Sequence, residues 1–580
     1  MSLSGALLVL SLHLSPVGAS LLSPASARSS RFLMAVGPGP AARVAPYQVG
    51  GRVVSDDRWR ESERFRNACH DPAHSFWDGF PALFDFVLSS NLPVPYHGAH
   101  PEADPHVVFL FEALRDVFAS SSTVEHQPAW FLLFSLSRLL FSTGKQTSVA
   151  PRDLVHTRTE LIYKGAWSEL HAALAPLLRG PPPPPPSDPA QADTLQVKAA
   201  LHQLRLGRPG RAMGRLLSHG VHPASAATRD AAAVKFPAAL HPLSDADRSF
   251  LESHQLSPDA FAPQLCPEDG STRPGLITLE NIEKVLDDAD FTKAAGITGM
   301  RLSLFTSLIR LGHSDILVNI VRAVASGRMP AAVRDRVLRR ALLVSLKKGA
   351  NSSDVRPILL QETLYTLTGA TLLKHYRPRL NELFLDHQYA AGRKGGAEQL
   401  ILLMSALHAD QRHRRLHSRA SPLLLLNIDV SNAFNAVSRR YVLEALVRQG
   451  FQGLIPLVLA KYGGVSEISL PRGSEPIAAL LSREGVEQGD SLSSFLFAIV
   501  LVDVVAALRK ARSVDQSALL SVFYADDGFL VGSPAVVLSA LEFLSSLLSV
   551  GDTPVPARPL QADRPDHAVF SGTTGLSLSS

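Results

Sequence analysis

The segment Phe523-Tyr524-Ala525-Asp526-Asp527-Gly528-Phe529-Leu530-Val531 sets two adjacent carboxylates between apolar runs, with a glycine directly behind them. Asp-Gly flanked by hydrophobic residues is a strong hairpin signal, so the stretch predicts two antiparallel strands joined by a tight turn. A surface hairpin with two solvated acids would satisfy the same pattern. Like charges at one turn resist ionising together, however, and are more readily kept where a cation compensates them.

A second apolar run, Leu423-Leu424-Leu425-Leu426-Asn427-Ile428-Asp429, also ends in a carboxylate. It precedes Val430-Ser431-Asn432-Ala433-Phe434-Asn435 and a helix predicted over 438–449. The run reads as a buried strand that delivers Asp429 to its open end, although an Asp there also commonly caps the turn that follows. Asp429 and Asp526 together offer hard oxygen donors for two Mg2+ ions roughly 3.5–4 Å apart, the arrangement of in-line phosphoryl displacement. Zinc is disfavoured because no His and Cys cluster accompanies these acids. Between the two segments lies Gly485-Val486-Glu487-Gln488-Gly489-Asp490-Ser491-Leu492-Ser493, followed by an apolar helix predicted from Ser493 to Leu508. Glycines before a helix let backbone approach a base pair or sugar, whereas an ordinary loop with Ser493 as N-cap is the bland alternative.

The rest of the chain sets limits. At 580 residues it is long enough for three or four units. Apolar residues make up 46% and charged residues 19%, so most of it can bury a core. The formal charge of +5 permits a polyanionic partner without demanding one. Cys69 and Cys266 alone exclude a disulfide framework and fit a reducing compartment, nucleus or cytoplasm. No apolar stretch has the length of a membrane span, so no membrane partner is expected. Residues 1–55 contain no Asp or Glu and read as a disordered or targeting-like tail. Residues 56–180 are helical in pattern, with apolar spacing of three and four over Val107–Phe118 and Trp130–Phe141. Trp77, Trp130 and Trp167 read as core. Pro181–Pro186 begin a linker over 181–190, and 191–270 form a second helical region with a helix at Leu195–Leu217. Helices are expected at Leu276–Leu286 and Leu302–Val324, and a strand at Leu342–Leu346. Asp354–Ile358 leads into a long helical pattern, Glu362–Leu383. Helices alternating with short apolar strands make the last three hundred residues α+β.

The ordered set Asp429 with Ala433-Phe434, then Gln488-Gly489-Asp490, then Tyr524-Ala525-Asp526-Asp527 resembles the successive palm motifs of reverse transcriptases of the non-LTR, LINE-like retrotransposon type. Ala295 to Arg301, Lys347-Lys348 and Arg356-Pro357-Ile358 resemble the upstream and finger motifs of that family, and Gly395-Gly396-Ala397-Glu398 its finger-to-palm segment. The resemblance covers roughly residues 275 to 550 and implies a right-hand polymerase. Fingers would occupy 271–420 and a palm with an antiparallel sheet 421–550, after a mostly helical N-terminal region. The implied activity is RNA-directed DNA polymerisation: nucleotidyl transfer of dNTPs to a primer 3'-hydroxyl, with RNA template and DNA primer as partners and two Mg2+ ions, or Mn2+, as cofactors. Asp429, Asp526 and Asp527 would be catalytic metal carboxylates, joined by the backbone carbonyl of Val430. Lys347, Lys348 and Arg356 would hold nucleotide phosphates, Phe434 would exclude a ribose 2'-hydroxyl, and Gln488 and Gly489 would contact nucleotide or template. Phe434 and the Tyr-Ala-Asp-Asp turn argue against an RNA-dependent RNA polymerase.

Some features depart from that family. Ser491 and Ser494 stand where it often has proline. Gly551-Asp552-Thr553-Pro554 lacks the Asn and Lys of the turn that follows the hairpin helix, here predicted over 533–550. Residues 551–580 read as a disordered tail, with no thumb and no endonuclease evident in the sequence. The second expectation is therefore a truncated or domesticated fragment that binds nucleic acid without polymerising. Arg334–Arg340, Lys374–Arg379 and Arg412–Arg419 are either contacts to a phosphate backbone or solvated faces.

Overall fold

The computed structural model describes residues 48–49, 52–53, most of 56–548, and 576–579. The Pro181–Pro186 run, residues 551–575 and nearly all of 1–55 lie outside the described residues. None of the described helices is long and apolar enough to cross a membrane.

Helix α1 (Asp104–Ala119) buries Val107, Leu110, Phe111, Leu114, Val117 and Phe118, the three-and-four spacing of an amphipathic helix. Helix α2 (Gln127–Phe141) is buried at every position from Ala129 to Phe141, so it runs through the middle of its helical layer. All three tryptophans singled out above are in the core. Their ring N–H groups donate to the carbonyls of Ala68, Thr123 and Phe76 at 2.7–3.0 Å, which removes the cost of burying them. Helix α3 (Ser314–Ala325) packs against α1, and one continuous apolar cluster reaches from Phe65 to Leu544.

Two predicted helices are each divided. The stretch expected over 302–324 breaks where Gly312 adopts φ +80°, giving Ser303–Arg310 and α3. The stretch expected over 195–217 becomes Pro189–Arg205 and Pro209–Leu216, because Pro209 cannot continue a preceding helix.

Two four-stranded sheets follow. In the first, β1 (Arg340–Lys347) pairs antiparallel with β2 (Val355–Leu360), so the segment expected only to lead into a helix is a strand. Val355, Pro357 and Leu359 alternate inward, and Pro357 is tolerated because β2 lies at the sheet edge. Helix α4 (Thr363–Leu383) and helix α5 (Gly396–His417) lead to the second sheet. Its first strand is β3 (Leu424–Val430), followed by helix α6 (Arg439–Arg448), whose N-cap Ser438 accepts a hydrogen bond from the Tyr441 N–H. Strands β4 (Ser466–Ser469) and β5 (Leu480–Ser482) return to the first sheet, giving the order β2-β1-β4-β5. Helix α7 (Ser493–Lys510) then leads into the hairpin β6 (Leu520–Tyr524) and β7 (Asp527–Gly532). Helix α8 (Pro534–Leu548) follows, and β8 (Leu576–Ser579) closes the order β6-β7-β3-β8, every pair antiparallel. The end of the expected tail is thus a strand, because the free edge of β3 offers it a ladder of backbone partners. The architecture is α+β, helices first and mixed layers after.

Glu362 ties the start of α4 to the Thr298 turn. Its carboxylate caps α4 through the Thr363 N–H and accepts the Thr298 hydroxyl at 2.8 Å. Burial pushes its pKa up from 4.5 to about 7, against the lowering effect of those hydrogen bonds. A raised folded-state pKa means that stability is greatest below about pH 4.5 and is lost as pH rises towards 7, where the folded state must hold a buried anion. Glu362→Gln is therefore expected to gain on the wild type by up to about 3 kcal/mol between pH 5 and pH 8, read from urea unfolding at both pH values.

Candidate active site

The hairpin places Tyr524 opposite Asp527, leaving Ala525 and Asp526 as the two-residue turn. Ala525 adopts φ +56°, a left-handed conformation that costs a residue with a Cβ about 1 kcal/mol or more. The next strand aligns Asp527 directly opposite Asp429. Adjacent antiparallel residues point to the same face, so these two carboxylates share one side of the sheet end, with Asp526 at the turn above them.

Their electrostatics report that proximity. Asp526 is raised, first by burial and then by the charges of Asp527 and Asp429, while Arg356 pulls it back. Asp527 is raised by burial and by Asp429. The donor set is all hard oxygen, which suits Mg2+ or Mn2+, and its mutual repulsion is what a divalent cation would relieve. Among the described residues, no three side chains of His, Cys, Asp or Glu already converge as a metal-holding group. In type and in charge the acids suit such an ion, but they are not gathered into a ready-made ligand group. Val430 follows Asp429 with a buried side chain.

The loop before α7 reaches this site through β2. The Leu359 N–H donates to the Gln488 carbonyl at 2.7 Å. Gly489 sits at φ +105°, and a Cβ there would lie 2.4 Å from the Leu359 carbonyl oxygen, so only glycine fits. Three residues earlier on the same strand, exposed Arg356 faces the field of Asp526. Gln488 carries a buried Oε1 without a hydrogen-bond partner among the described residues.

Phe434 stacks on Phe497 with ring centroids 4.9 Å apart, and its carbonyl accepts the Val486 N–H at 2.7 Å. It is half-buried and packs against the main apolar cluster. Lys347 ends β1 opposite Val355 and makes no ion pair among the described residues. Lys348 differs: it pairs at 2.9 Å with Asp354, which also takes Lys235 at 3.0 Å. The Lys348 hydrogen bond leads the effects that hold Asp354 down at about 2. The expected phosphate-binding pair is thus split, one lysine tethered and one not.

Beneath the loop lies a buried polar network that the motifs did not announce. Lys461 and Glu487 pair at 2.9 Å, Gln361 donates to Glu487 at 2.7 Å, and Lys461 donates to the Leu338 carbonyl at 2.9 Å. Burial alone would raise Glu487, but Lys461 holds it below the usual carboxylate range. Tyr365 donates to Asp490 at 2.8 Å, as does Tyr462, and Asp490 in turn accepts the Leu492 N–H at 2.9 Å. Asp490, not Ser493, therefore anchors the start of α7. The only local signal was the acid after Gln488-Gly489.

Of the basic stretches read as either phosphate contacts or solvated faces, several side chains pair with groups of the protein itself. Arg336 lies over Phe84 and Phe131 and pairs with Asp85; Arg339 and Arg340 pair with Asp335 and Glu467. Lys374 pairs with Asp288, and Arg379 covers Phe451. The side chains of residues 413–419 lie outside the described set.

Three acids thus stand at this sheet end and its turn, with Arg356 within the field of Asp526. Comparison with known proteins sharpens the class. No protein-family model matches the chain. Over 251 residues it is 26% identical to the retrovirus-related Pol polyprotein from type-1 retrotransposable element R2 of Popillia japonica, a match covering 42% of this chain and 33% of that protein. The chain thus spans about a third of the length of this curated relative. Among solved structures, apo telomerase from Candida tropicalis, truncated from its C-terminal domain, aligns at 12% identity over 47% of this chain and 69% of that one, with a TM-score of 0.26. The resemblance to the reverse-transcriptase domain of non-LTR retrotransposons stands on the Pol relative.

Removing one of the repelling acids should stabilise the fold while harming the site. Asp526→Asn is expected to raise the thermal midpoint by about 1–2 °C in metal-free buffer, with the difference shrinking when Mg2+ is added. Differential scanning fluorimetry with and without Mg2+ checks it.

Proposed function

We propose that this protein is an RNA-directed DNA polymerase of a mobile element, in which residues 271–420 serve as fingers and 421–550 as palm. The observation that carries this reading is Asp429 opposite Asp527 on neighbouring strands, with Asp526 at the adjoining turn. Asp429, Asp526, Asp527 and the Val430 carbonyl would hold two divalent ions. When bound, such ions supply activation of a primer 3'-hydroxyl and neutralisation of the leaving pyrophosphate.

The chain's own residues do the rest. Arg356 holds the triphosphate of the incoming dNTP at the edge of the first sheet by its bidentate match to phosphate, whereas Lys347, opposite inward-facing Val355, stands on the other face of that sheet and adds only charge. Lys348 contributes charge there while tethered to Asp354. Gly489, whose lack of a Cβ lets the loop lie against β2, presents exposed backbone to the nascent base pair, with Gln488 beside it. Phe434, braced by Phe497, presses on the sugar and rejects a 2'-hydroxyl. The helices of 56–180 and 191–270 act as a buttress for this machinery.

Primer extension on poly(rA)/oligo(dT) with Mg2+ tests the reading. The wild type should extend the primer, and Asp526→Ala should lose about 1,000-fold or more of that activity. A wild-type chain that binds the hybrid without extending it would replace this reading with that of a non-polymerising nucleic-acid-binding fragment. Phe434→Ala should raise ribonucleotide use relative to deoxyribonucleotide by about 10-fold or more, measured as the ratio of kcat/KM values.

A further inference from the structure

The turn that carries Asp526 is held from outside its own sheet. Gln388 is fully buried, and its Oε1 accepts the Ala525 N–H at 3.0 Å while its Nε2 donates to the Ala525 carbonyl at 3.4 Å. The same Oε1 also accepts the Ala390 N–H at 2.9 Å, which fixes the side-chain amide in orientation. On either side, the Phe523 N–H donates to the His387 carbonyl at 2.7 Å and the Tyr389 N–H to the Phe523 carbonyl at 2.8 Å. The three-residue piece 387–389 thus lies along the outer edge of β6, and Gln388 grips both backbone groups of the one residue in the hairpin that is in a left-handed conformation.

The surroundings keep that piece in place. Tyr389, Leu400 and Val522 form a small apolar cluster of their own between the start of α5 and the sheet. Gly395 takes φ +69°, and a Cβ on Gly396 would fall 1.8 Å from the Tyr389 carbonyl oxygen. The glycine pair thereby lets α5 start directly against the clamp, which gives a physical reason for Gly395-Gly396 that the site itself did not supply.

We propose that Gln388 is a positioning residue: by holding Ala525 left-handed it sets where Asp526 and Asp527 stand relative to Asp429. An alanine turn without the clamp would relax towards negative φ, rotating the Asp526 peptide and separating the acids. The effect on catalysis rests on the polymerase reading; the clamp itself does not. Glycine at 525 would adopt the same conformation without strain, so it should make the clamp dispensable.

The test compares full-length wild type, Gln388→Leu, Ala525→Gly and the double variant by hydrogen-exchange mass spectrometry, Mn2+ titration followed by EPR, and primer extension. Gln388→Leu should speed exchange over residues 521–527 by about 10-fold or more while α2 and α4 keep wild-type protection. It should weaken Mn2+ binding several-fold and lower kcat by about 10–100-fold, with the dNTP KM within about twofold. Adding Ala525→Gly should return Mn2+ affinity and kcat most of the way to wild type. Unchanged exchange over 521–527, or a double variant no better than Gln388→Leu in Mn2+ binding, would overturn the proposal. Loss of protection throughout the protein would also overturn it, by making Gln388 a general structural residue. If the wild type fails to extend primers, the polymerase reading falls, while exchange and Mn2+ binding still decide the clamp.

Discussion

Lys461 and Glu487 are both almost wholly removed from solvent, and the loop that approaches the acidic site depends on their pairing. Taking two charges out of water costs several kcal/mol per ion, offset only when the geometry is good and neighbours supply hydrogen bonds. Here Leu338 and Gln361 do so, yet one Glu487 oxygen has no partner among the described residues. The pair is therefore unforgiving: either member alone would leave a buried charge. Its benefit is geometric. It ties the Gly485–Asp490 loop to the foot of α4 and to the approach of β1, while Tyr365 and Tyr462 seize Asp490 from two further directions.

That fastening explains why Gly489 can lie against β2 without any side chain to guide it. The loop is located by its buried acids, so its outward groups need make no structural contact. The opposite arrangement holds at the hairpin, where the acids face outward and repel, and location comes from backbone gripped by Gln388. One half of the site is positioned by satisfied charge and the other by strained backbone.

Much of this was legible in the sequence, for identifiable reasons. Strand β3, the β6–β7 hairpin and α7 announce themselves by uninterrupted apolar runs ending in acids or opened by glycine, and the order of Asp429, Gln488-Gly489 and Asp526 suggested what gathers. Strand β2 was missed because Pro357 interrupts its alternation, a signal that an edge position overrides. Gly312 and Pro209 divide helices that apolar spacing alone would run together. Gln388 left no local trace, since an isolated amide between His387 and Tyr389 has meaning only when a strand from more than a hundred residues away lies beside it. The arginines of 334–340 misled for the converse reason: a run of charge looks solvated until Asp85, Phe84 and Phe131 arrive from the far end of the chain.

The continuous cluster from Phe65 to Leu544 bears on how such a chain can be divided. The motif set delimits the part that resembles other proteins, but the apolar face of α3 is completed by α1, and α2 belongs to the same apolar cluster. Cutting at the edge of the resemblance would expose that face and leave Thr298 and Glu362 at the margin of an unfinished interior. The stretch that resembles other proteins and the stretch that shares one apolar interior are here of different sizes.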